Sequence, residues 1–319
     1  MNNIRFKEFL ICWFLISISI ISCQKDVIDE FTPLDERWTS LDSFFSNAEK
    51  IKRILIPNAE DEFVVSSNGL YYHFLGESLL NEDNSKVTGE ATLEIKEIRK
   101  TGDYILNQID SETYDGESMF PEAIFSLRLV KNGKELKLKD KILIYQETSD
   151  FEVDLEVTTE WIDDNMNDGW FPTVSLDVFN HSWDFDINTE NFQGAGFKMY
   201  LRKLGWFQMG SYASQVYPSG DVFGTVEVEI PTELTSEDVK VFLAYKDRLC
   251  LLPSTRLDNK FTFKQVLKAE EVEVIMLTVR EDNLYFGKKH FITENESKVI
   301  LNTIEKTDFV SLIAYLQDL

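Results

Sequence analysis

Residues 125–136 have the sequence FSLRLVKNGKEL, and this stretch decides the fold class. Phe125, Leu127 and Leu129 alternate with polar residues, which is the period of a strand that buries one face. Asn132-Gly133 follows between two alternating runs, and this pair favours the two left-handed residues of a type I′ turn. The stretch therefore predicts a β-hairpin.

The same period of two recurs along the chain. Apolar residues alternate with polar ones in Ala91-Leu93-Ile95, Phe151-Val153-Leu155-Val157 and Val226-Val228-Ile230. Turn-forming pairs such as Asp258-Asn259 and Asp282-Asn283 separate runs of this kind. Short strands without long helices between them favour antiparallel sheets over a parallel one. We therefore expect a mainly β protein with two antiparallel β-sandwich-like domains and short N- and C-terminal helices.

The two short helices are expected on either side of the β region. Ser40 can cap the first helix, and Thr307 or Asp308 can cap the second. Apolar residues recur at helical spacing in both segments. They are Leu41, Phe44, Phe45, Ala48 and Ile51 in the first helix, and Phe309, Val310, Leu312, Ile313 and Leu316 in the second.

Composition limits the class of protein. Hydrophobic residues make up 43% and charged residues 28%, which is ordinary for a folded chain and argues against long disordered regions. Acidic residues outnumber basic ones 56 to 32, so the formal charge is -24. A field of that sign repels phosphate backbones, and general nucleic-acid binding is therefore excluded.

The beginning of the chain has the pattern of an export signal. Arg5 and Lys7 precede an apolar run over residues 9–21, which is shorter than the roughly 20 residues of a permanent bilayer helix. The run ends in Ile20-Ile21-Ser22-Cys23, which resembles the lipobox of bacterial lipoproteins. The resemblance implies a diacylglycerol on the Cys23 sulfur, cleavage after Ser22, and a further fatty acyl chain such as palmitate on the freed amine. The alternative is an ordinary secretory signal with a chance cysteine.

The residues after Cys23 carry a second resemblance. Gln24-Lys25-Asp26 is similar to the export tag of Bacteroidota-type lipoproteins that reach the outer face of the outer membrane. The tag implies an anchored protein that faces the cell surface. The alternative is a polar tether of no special meaning.

Polar and acidic runs interrupt the strand periodicity between residues 161 and 196. A chain of 319 residues has room for two domains, since about 150 residues per domain is usual. The expected organisation is a lipoprotein signal peptide over residues 1–22, a tether over 23–38, an N-terminal β-sandwich domain with its leading helix over 39–160, an aromatic and acidic connection over 161–196, and a C-terminal β-domain ending in an amphipathic helix over 197–319.

A third resemblance covers most of the β region. Val87-Thr88-Gly89, residues 93–98, 101–106 and 131–136, and Leu204-Gly205-Trp206 resemble uncharacterised Bacteroidota surface lipoproteins with a β-sandwich repeat unit. These motifs consist of hydrophobic and turn residues, so they imply a fold and no particular chemistry.

Catalytic motifs are missing from the sequence. His73, His181 and His290 lie far apart, and none belongs to an H-E-x-x-H motif. The chain contains no G-x-S-x-G elbow and no phosphate-binding loop. Cys250 lies in an apolar run, where a buried thiol is expected. We predict a protein without enzymatic activity and without a cofactor.

One acidic run offers a candidate calcium loop. Asp163, Asn165 and Asn167 fit positions 1, 3 and 5 of an EF-hand, but Val174 stands where the loop needs glutamate. We therefore expect a solvated turn and no metal site.

Tryptophans are the other candidate for binding. Trp161, Trp170 and Trp206 lie in or just after the connection, and indole rings stack on the C–H faces of sugars. The alternative is that these side chains fill a β-sandwich core.

These observations leave three functional classes. The first, which we adopt, is a non-catalytic binding or structural module of the cell envelope, anchored in the outer membrane by Cys23 and bound to an unknown envelope protein or glycan. The second is a glycan-binding accessory lipoprotein of an outer-membrane nutrient importer. The third, an enzyme, has no motif in its favour.

Overall fold

A computed structural model describes residues 37–48, 50–66, 69–147, 157–161, 170–172, 178–187, 190–234 and 238–319. Residues Glu36–Leu319 group into one compact unit. Several predicted features lie outside the described residues: the signal peptide with its lipobox, the tag Gln24-Lys25-Asp26 with most of the tether, most of the strand at 151–157, and the acidic turn at 163–169.

The chain contains four α-helices and twenty-three strands within the described residues. The helices are α1 (Leu41–Ala48), α2 (Thr101–Asn107), α3 (Ala213–Val216) and α4 (Phe309–Asp318), and the strands are β1 (Lys52–Pro57), β2 (Glu62–Val65), β3 (Leu70–Phe74), β4 (Leu79–Leu80), β5 (Glu90–Ile98), β6 (Met119–Lys131), β7 (Lys134–Glu135), β8 (Lys137–Leu138), β9 (Ile142–Glu147), β10 (Val157–Trp161), β11 (Trp170–Pro172), β12 (Val178–Ile187), β13 (Glu190–Leu201), β14 (Gly205–Tyr212), β15 (Phe223–Glu229), β16 (Val239–Tyr245), β17 (Leu251–Leu252), β18 (Thr255–Leu257), β19 (Lys260–Leu267), β20 (Glu271–Arg280), β21 (Asn283–Ile292), β22 (Lys298–Ile300) and β23 (Glu305–Thr307).

The strands form four main sheets, and the expectation of a mainly β protein with antiparallel sheets is confirmed. Sheet A has the order β1-β5-β6-β14-β10-β11 with β7 beside β6, and sheet B has the order β12-β13-β9-β3-β2. Sheet C is β18-β19-β15-β22, and sheet D is β17-β16-β20-β21-β23. Among the described strands only β15 and β22 pair in parallel. Sheets A and B form the first sandwich, and sheets C and D the second.

Two hairpins show how local sequence sets the register. Asn132 and Gly133 have φ values of 50° and 74°, as the predicted type I′ turn requires. β20 and β21 are joined in the same way, but here the left-handed residues are Glu281 and Asp282. The second turn therefore begins one residue earlier than the pair Asp282-Asn283 indicated.

Three clusters of buried apolar residues hold the sheets together. The first core lies between sheets A and B and includes Phe125 and Tyr72. The second core lies between sheets C and D and includes Phe263 and Val274. The central core joins both halves of the chain, since it contains residues of sheet A, sheet D and helices α1, α2 and α4.

Helices α1 and α4 confirm the two predicted terminal helices. The Ser40 hydroxyl accepts a hydrogen bond from the Ser43 amide at 3.1 Å, and the Asp308 carboxylate accepts one from the Ser311 amide at 2.8 Å. Both helices place their apolar stripe in the central core. Two predicted members do not belong to these stripes: Ile51 lies beyond the end of α1, and the Val310 side chain is 73% exposed.

Helix α2 was not expected from the periodicity. Its first turn is stabilised by the Asp103 carboxylate, which accepts hydrogen bonds from the backbone amides of Arg99 and Lys100 at 2.9 and 3.2 Å. A Cβ on Gly102 would lie 1.7 Å from the Leu316 carbonyl oxygen. Only glycine therefore allows α2 and α4 to approach this closely.

The strands between residues 157 and 201 belong to the first sandwich. β10 pairs with β14, and β13 pairs with β9. The change from one sandwich to the other falls at residues 213–222, and not at 161–196 where the sequence placed the connection. Periodicity identifies a strand but not its partner, which explains the difference. Whether each half folds as a separate domain stays a prediction.

Candidate functional site

The first sequence candidate, Trp170, lies inside the central core. Its side chain is fully buried, and its indole N–H donates a hydrogen bond to the Asp110 carbonyl oxygen at 2.6 Å. A ring in this position cannot stack on a sugar from solvent. Trp170 as a ligand-facing residue is therefore wrong, and the alternative of core packing is confirmed for it, because β11 packs this residue against the central core.

The other two tryptophans lie on neighbouring strands. The backbone of Trp161 pairs with Trp170 on one side and with Trp206 on the other. The Trp161 side chain lies outside what the structure describes. Trp206 is half-buried, and the Lys96 ammonium lies 5.8 Å from its ring centroid. Trp206 therefore stays a candidate for ligand contact.

The histidines lie apart in the described structure. His73 stacks on Phe63 with ring centroids 3.9 Å apart, and its Nε2 lies 3.2 Å from the Asp61 carboxylate. Burial lowers the pKa of His73, and Asp61 opposes this shift only in part. His290 lies in the second sandwich, 3.4 Å from Glu271. No cluster of three or more histidine, cysteine or acidic residues suited to a metal occurs among the described residues.

Cys250 is a structural residue. The side chain is fully buried, and burial raises the pKa of its thiol to about 12. A thiol with such a pKa stays protonated at neutral pH and is a poor nucleophile. The interpretation of Cys250 as a buried residue is confirmed.

Sequence reasoning missed a pocket at the junction of α1, β1, β5 and α2. We call it the cationic pocket, and its volume is about 270 Å³. Four of its ten lining residues carry a positive charge and two carry a carboxylate. The lining residues are Ala48, Lys50, Lys52, Ile95, Lys96, Glu97, Arg99, Asp103, Leu106 and Asn107.

Strand pairing brings these residues together. Lys52 begins β1 and lies opposite Ile95 of β5. The chain then turns from β5 into α2 within two residues, which places Arg99 and Asp103 beside the end of the strand. Lys50 follows α1, so residues far apart in sequence converge on one cavity.

Both carboxylates of the cationic pocket are engaged in structural hydrogen bonds. Glu97 accepts one from the Tyr72 hydroxyl at 2.9 Å and one from the Arg99 guanidinium at 3.0 Å. Only 5% of the Glu97 side chain is exposed. Burial, together with the charge of Glu97, raises the pKa of Tyr72 well above its usual value, so Tyr72 remains a neutral donor.

The Asp103 carboxylate also has a structural role, because it accepts the hydrogen bonds from the backbone amides of Arg99 and Lys100 in the first turn of α2. The Asn107 side-chain amide donates to the Asp103 backbone carbonyl at 2.9 Å and closes this end of the cavity. The lining has a net charge of +2, in a chain whose formal charge is -24. A cleft of the opposite sign to its surroundings concentrates anions.

A second surface missed by sequence reasoning is the outer side of sheet B. Alternate residues of its strands, such as Val64, Tyr72 and Ile144, point into the first core. The residues between them form what we call the aromatic face. Its half-buried members are Phe63, Tyr71, His73 and Tyr200, and Tyr145 lies among them but is only 4% exposed.

Lysines accompany the aromatic face. The Lys141 ammonium lies 3.6 Å from the Tyr200 ring centroid, and the Lys198 ammonium lies 5.4 Å from that of Tyr145. Aromatic rings combined with cations are typical of surfaces that contact hydroxylated ligands. Alternation within β3 signalled the position of Tyr71 and His73, but no sequence signal placed Tyr200 beside them.

Comparison with protein families, curated proteins and solved structures found no match to this chain. None of the helices in the described part of the chain is long and apolar enough to cross a membrane.

Proposed function

We propose that this protein is a non-catalytic binding module of the cell envelope, anchored in the outer membrane by lipid on Cys23. Gln24-Lys25-Asp26 directs it to the cell surface. The charged start, the short apolar run and the lipobox-like sequence Ile20-Ile21-Ser22-Cys23 support the anchor.

The cationic pocket is the observation that carries the binding function. Its two carboxylates are held by Tyr72, Arg99 and backbone amides in structural roles, and four cationic side chains line the same cavity. Proton transfer to a substrate needs an acid or base that can reach it. An arrangement of this kind suits retention of an anion better than catalysis.

Replacement of Cys23 tests the anchor. Cys23→Ala should stay unprocessed and move from the membrane fraction to the soluble fraction. Cys250→Ala is the matched control, because this cysteine is buried in the fold and should leave membrane attachment unchanged. Cleavage after Ser22 with continued membrane attachment of Cys23→Ala would refute the proposed anchor.

Protease treatment of intact cells tests the side of the membrane. A surface protein should be lost on addition of protease, and replacement of Lys25 and Asp26 by alanine should protect it. Protection of the unchanged protein would place it on the periplasmic side instead.

Thermal stabilisation by simple anions tests the pocket. Millimolar sulfate, phosphate or succinate should raise the Tm of the protein, because a ligand that binds only the folded state stabilises it. The double variant Lys50→Gln with Lys96→Gln should lose this response. Lys139→Gln with Lys306→Gln changes the net charge equally outside the pocket and should keep it.

Glycan binding beside an outer-membrane importer is the second candidate function, and the aromatic face favours it. Affinity electrophoresis with neutral polysaccharides tests this candidate. Tyr71→Ala and Tyr200→Ala should abolish any retardation, whereas Tyr285→Ala in the second sandwich should not. Retardation that persists in both face variants would exclude the aromatic face as the binding surface.

A further inference from the structure

We infer that the hairpin of strands β2 and β3 opens on mild acidification, and that His73 is the group whose protonation favours the opening. Opening of the hairpin releases Phe63 from the aromatic face and frees the edge of β3 in sheet B. This inference is a form of regulation that goes beyond the proposed function and does not involve the cationic pocket.

Strand β2 lies at the edge of sheet B. Within the described residues it pairs with β3 alone, over Glu62–Val65, and only Val64 of these four residues belongs to the first core. Phe63 lies opposite His73, and the two rings stack with their centroids 3.9 Å apart. Short edge segments with few buried side chains open at low cost in free energy. The contact between Phe63 and His73 therefore contributes to keeping β2 in place.

The neighbours of His73 decide which ring nitrogen carries the hydrogen at neutral pH. Nε2 lies 3.2 Å from the Asp61 carboxylate, and an ionised carboxylate can only accept a hydrogen bond. A hydrogen bond from the Gly76 amide lowers the pKa of Asp61, so this carboxylate is ionised. Nε2 therefore carries the hydrogen, and Nδ1 has the lone pair. Nδ1 is buried and has no hydrogen-bond partner in the described part of the chain.

The closed hairpin does not accommodate a second proton on this ring. Protonation would create an N–H donor at Nδ1 without an acceptor, and a buried donor without an acceptor destabilises the state that contains it. In the open hairpin, water solvates both ring nitrogens. Protonation of His73 therefore favours the open form.

The charges around His73 act in both directions. Lys198 of β13 adds a positive charge that disfavours the cationic ring, whereas β9 places the uncharged Leu143 opposite His73. Asp61 favours the cationic ring, but its side chain is 58% exposed, and solvent weakens this attraction. Burial and Lys198 therefore outweigh the single favourable carboxylate.

The direction of the pH effect follows from these contacts. Burial lowers the pKa of His73 below its usual 6.5, and Asp61 opposes the shift only in part. The closed hairpin is therefore fully stable above about pH 6.5, and it loses stability as the pH falls from there to the lowered pKa. Burial raises the pKa of Glu62 on the same strand, which has the opposite effect on stability and so cannot cause a loss on acidification.

Hydrogen exchange of the full chain at pH 7.5 and pH 5.5 tests the inference. After correction for the intrinsic effect of pH, exchange of the β2 amides should rise by at least about twofold at the lower pH, whereas exchange in β6 should stay constant. His73→Gln retains a donor for Asp61 and does not titrate, so the rise should disappear. His290→Gln is the matched control, because His290 is exposed in the second sandwich and its replacement should leave the rise unchanged.

Two further variants sharpen this test. Asp61→Asn removes the charge that favours the protonated ring, so the rise on acidification should become larger. His73→Phe retains a ring against Phe63 without a titratable nitrogen, and it should abolish the rise even if His73→Gln does not fold.

Histidine-selective ¹⁵N labelling gives an independent measurement, since the chain has three histidines. The His73 signals, identified by their loss in His73→Phe, should show the Nε2–H tautomer at pH 7.5. Their titration midpoint should lie below 6.5. A midpoint at or above this value would contradict the inference.

The exchange data can overturn the inference in three ways. Exchange of β2 that stays constant with pH would exclude an opening on acidification. A rise that persists in both His73 variants would exclude His73 as the group responsible. An equal rise in β6 would indicate global destabilisation rather than opening of one hairpin. None of these outcomes bears on the lipid anchor or on anion binding, so the proposed function is tested separately.

Discussion

The two sandwiches use their lysines differently. In the second sandwich, lysines on neighbouring strands form ion pairs with carboxylates, as in Lys298 with Glu229 at 2.8 Å and Lys246 with Glu271 at 2.9 Å. In the first sandwich Lys86 forms the same kind of pair with Glu77 at 2.8 Å, but Lys50, Lys52 and Lys96 also line one cavity.

This difference separates charges that pair on the surface from charges that line a cavity. Exposed ion pairs contribute about 0–1 kcal/mol each, and they keep an acidic surface locally neutral. Cations that line one cavity give it a positive local potential, and such a potential attracts anions. The first sandwich is therefore where we expect ligands, and the second where we expect support.

The central core joins the two sandwiches, so the division into a ligand-binding sandwich and a supporting sandwich is incomplete. Trp170→Ala should lower the free energy of unfolding by about 3–5 kcal/mol, as expected for loss of a buried indole. Protection from hydrogen exchange should fall in β20 as well as in sheet A, since Ile275 and Leu277 share that core. Denaturant titration and hydrogen exchange measure the two effects.

The matched control for Trp170→Ala is Tyr114→Ala, because Tyr114 is 53% exposed and should tolerate the change. Unfolding in two separate steps, with β20 unaffected by Trp170→Ala, would show that the sandwiches are independent. That result would restore the two-domain organisation expected from the sequence.

The contact between helices α2 and α4 also joins the N-terminal and C-terminal halves of the chain. Gly102→Ala forces a methyl group against the Leu316 carbonyl, and we expect a loss of about 3 kcal/mol from overpacking. In Gly224→Ala, the new Cβ would have its nearest neighbour at 3.6 Å, so this control should be nearly neutral. Equal stability of the two variants would contradict the close approach of the helices.

Single lysine replacements test the comparison between the two sandwiches through their effect on stability. Lys260 lies 3.2 Å from Glu227 in the second sandwich, so Lys260→Gln should lower stability by up to about 1 kcal/mol. Lys50→Gln in the first sandwich should leave stability unchanged or raise it by a few tenths, because it relieves repulsion among the pocket cations. Chemical denaturation at low salt measures both. A larger loss for Lys50→Gln than for Lys260→Gln would reverse our interpretation.

The smallest effect is expected from pH at the cap of α4. Hydrogen bonds from the Ser311 hydroxyl and amide lower the pKa of Asp308 below its ordinary 3.8. Its contribution is therefore complete above that pH and is lost as the pH falls through the lowered value. Asp308→Asn keeps a capping side chain that does not titrate.

The Tm difference between Asp308→Asn and the unchanged protein should thus shrink between pH 5 and pH 3, as thermal scans can show. A difference that stays constant over this interval would mean that Asp308 does not titrate with folding.

Prediction from sequence succeeded where neighbours along the chain decide the outcome. The turn at Asn132-Gly133 depends on two residues that tolerate left-handed backbone. The caps at Ser40 and Asp308 depend on amides within three residues. The sequence could not decide between ligand contact and core packing for Trp170, because its burial depends on which distant surfaces cover β11. It missed α2, whose apolar pattern is too short to show a helical period.

The sequence by itself determined the strand periods, the hairpin turn at Asn132-Gly133, the terminal helices and the acidic surface, since each depends on local geometry or on composition. Only the tertiary structure decided that β10 and β13 belong to the first sandwich and that α2 meets α4. It alone brought Lys50, Lys52, Lys96 and Arg99 around one cavity. Strand pairing and layer packing join residues far apart in the chain, and the alternation of apolar and polar residues carries no record of which strand lies beside which.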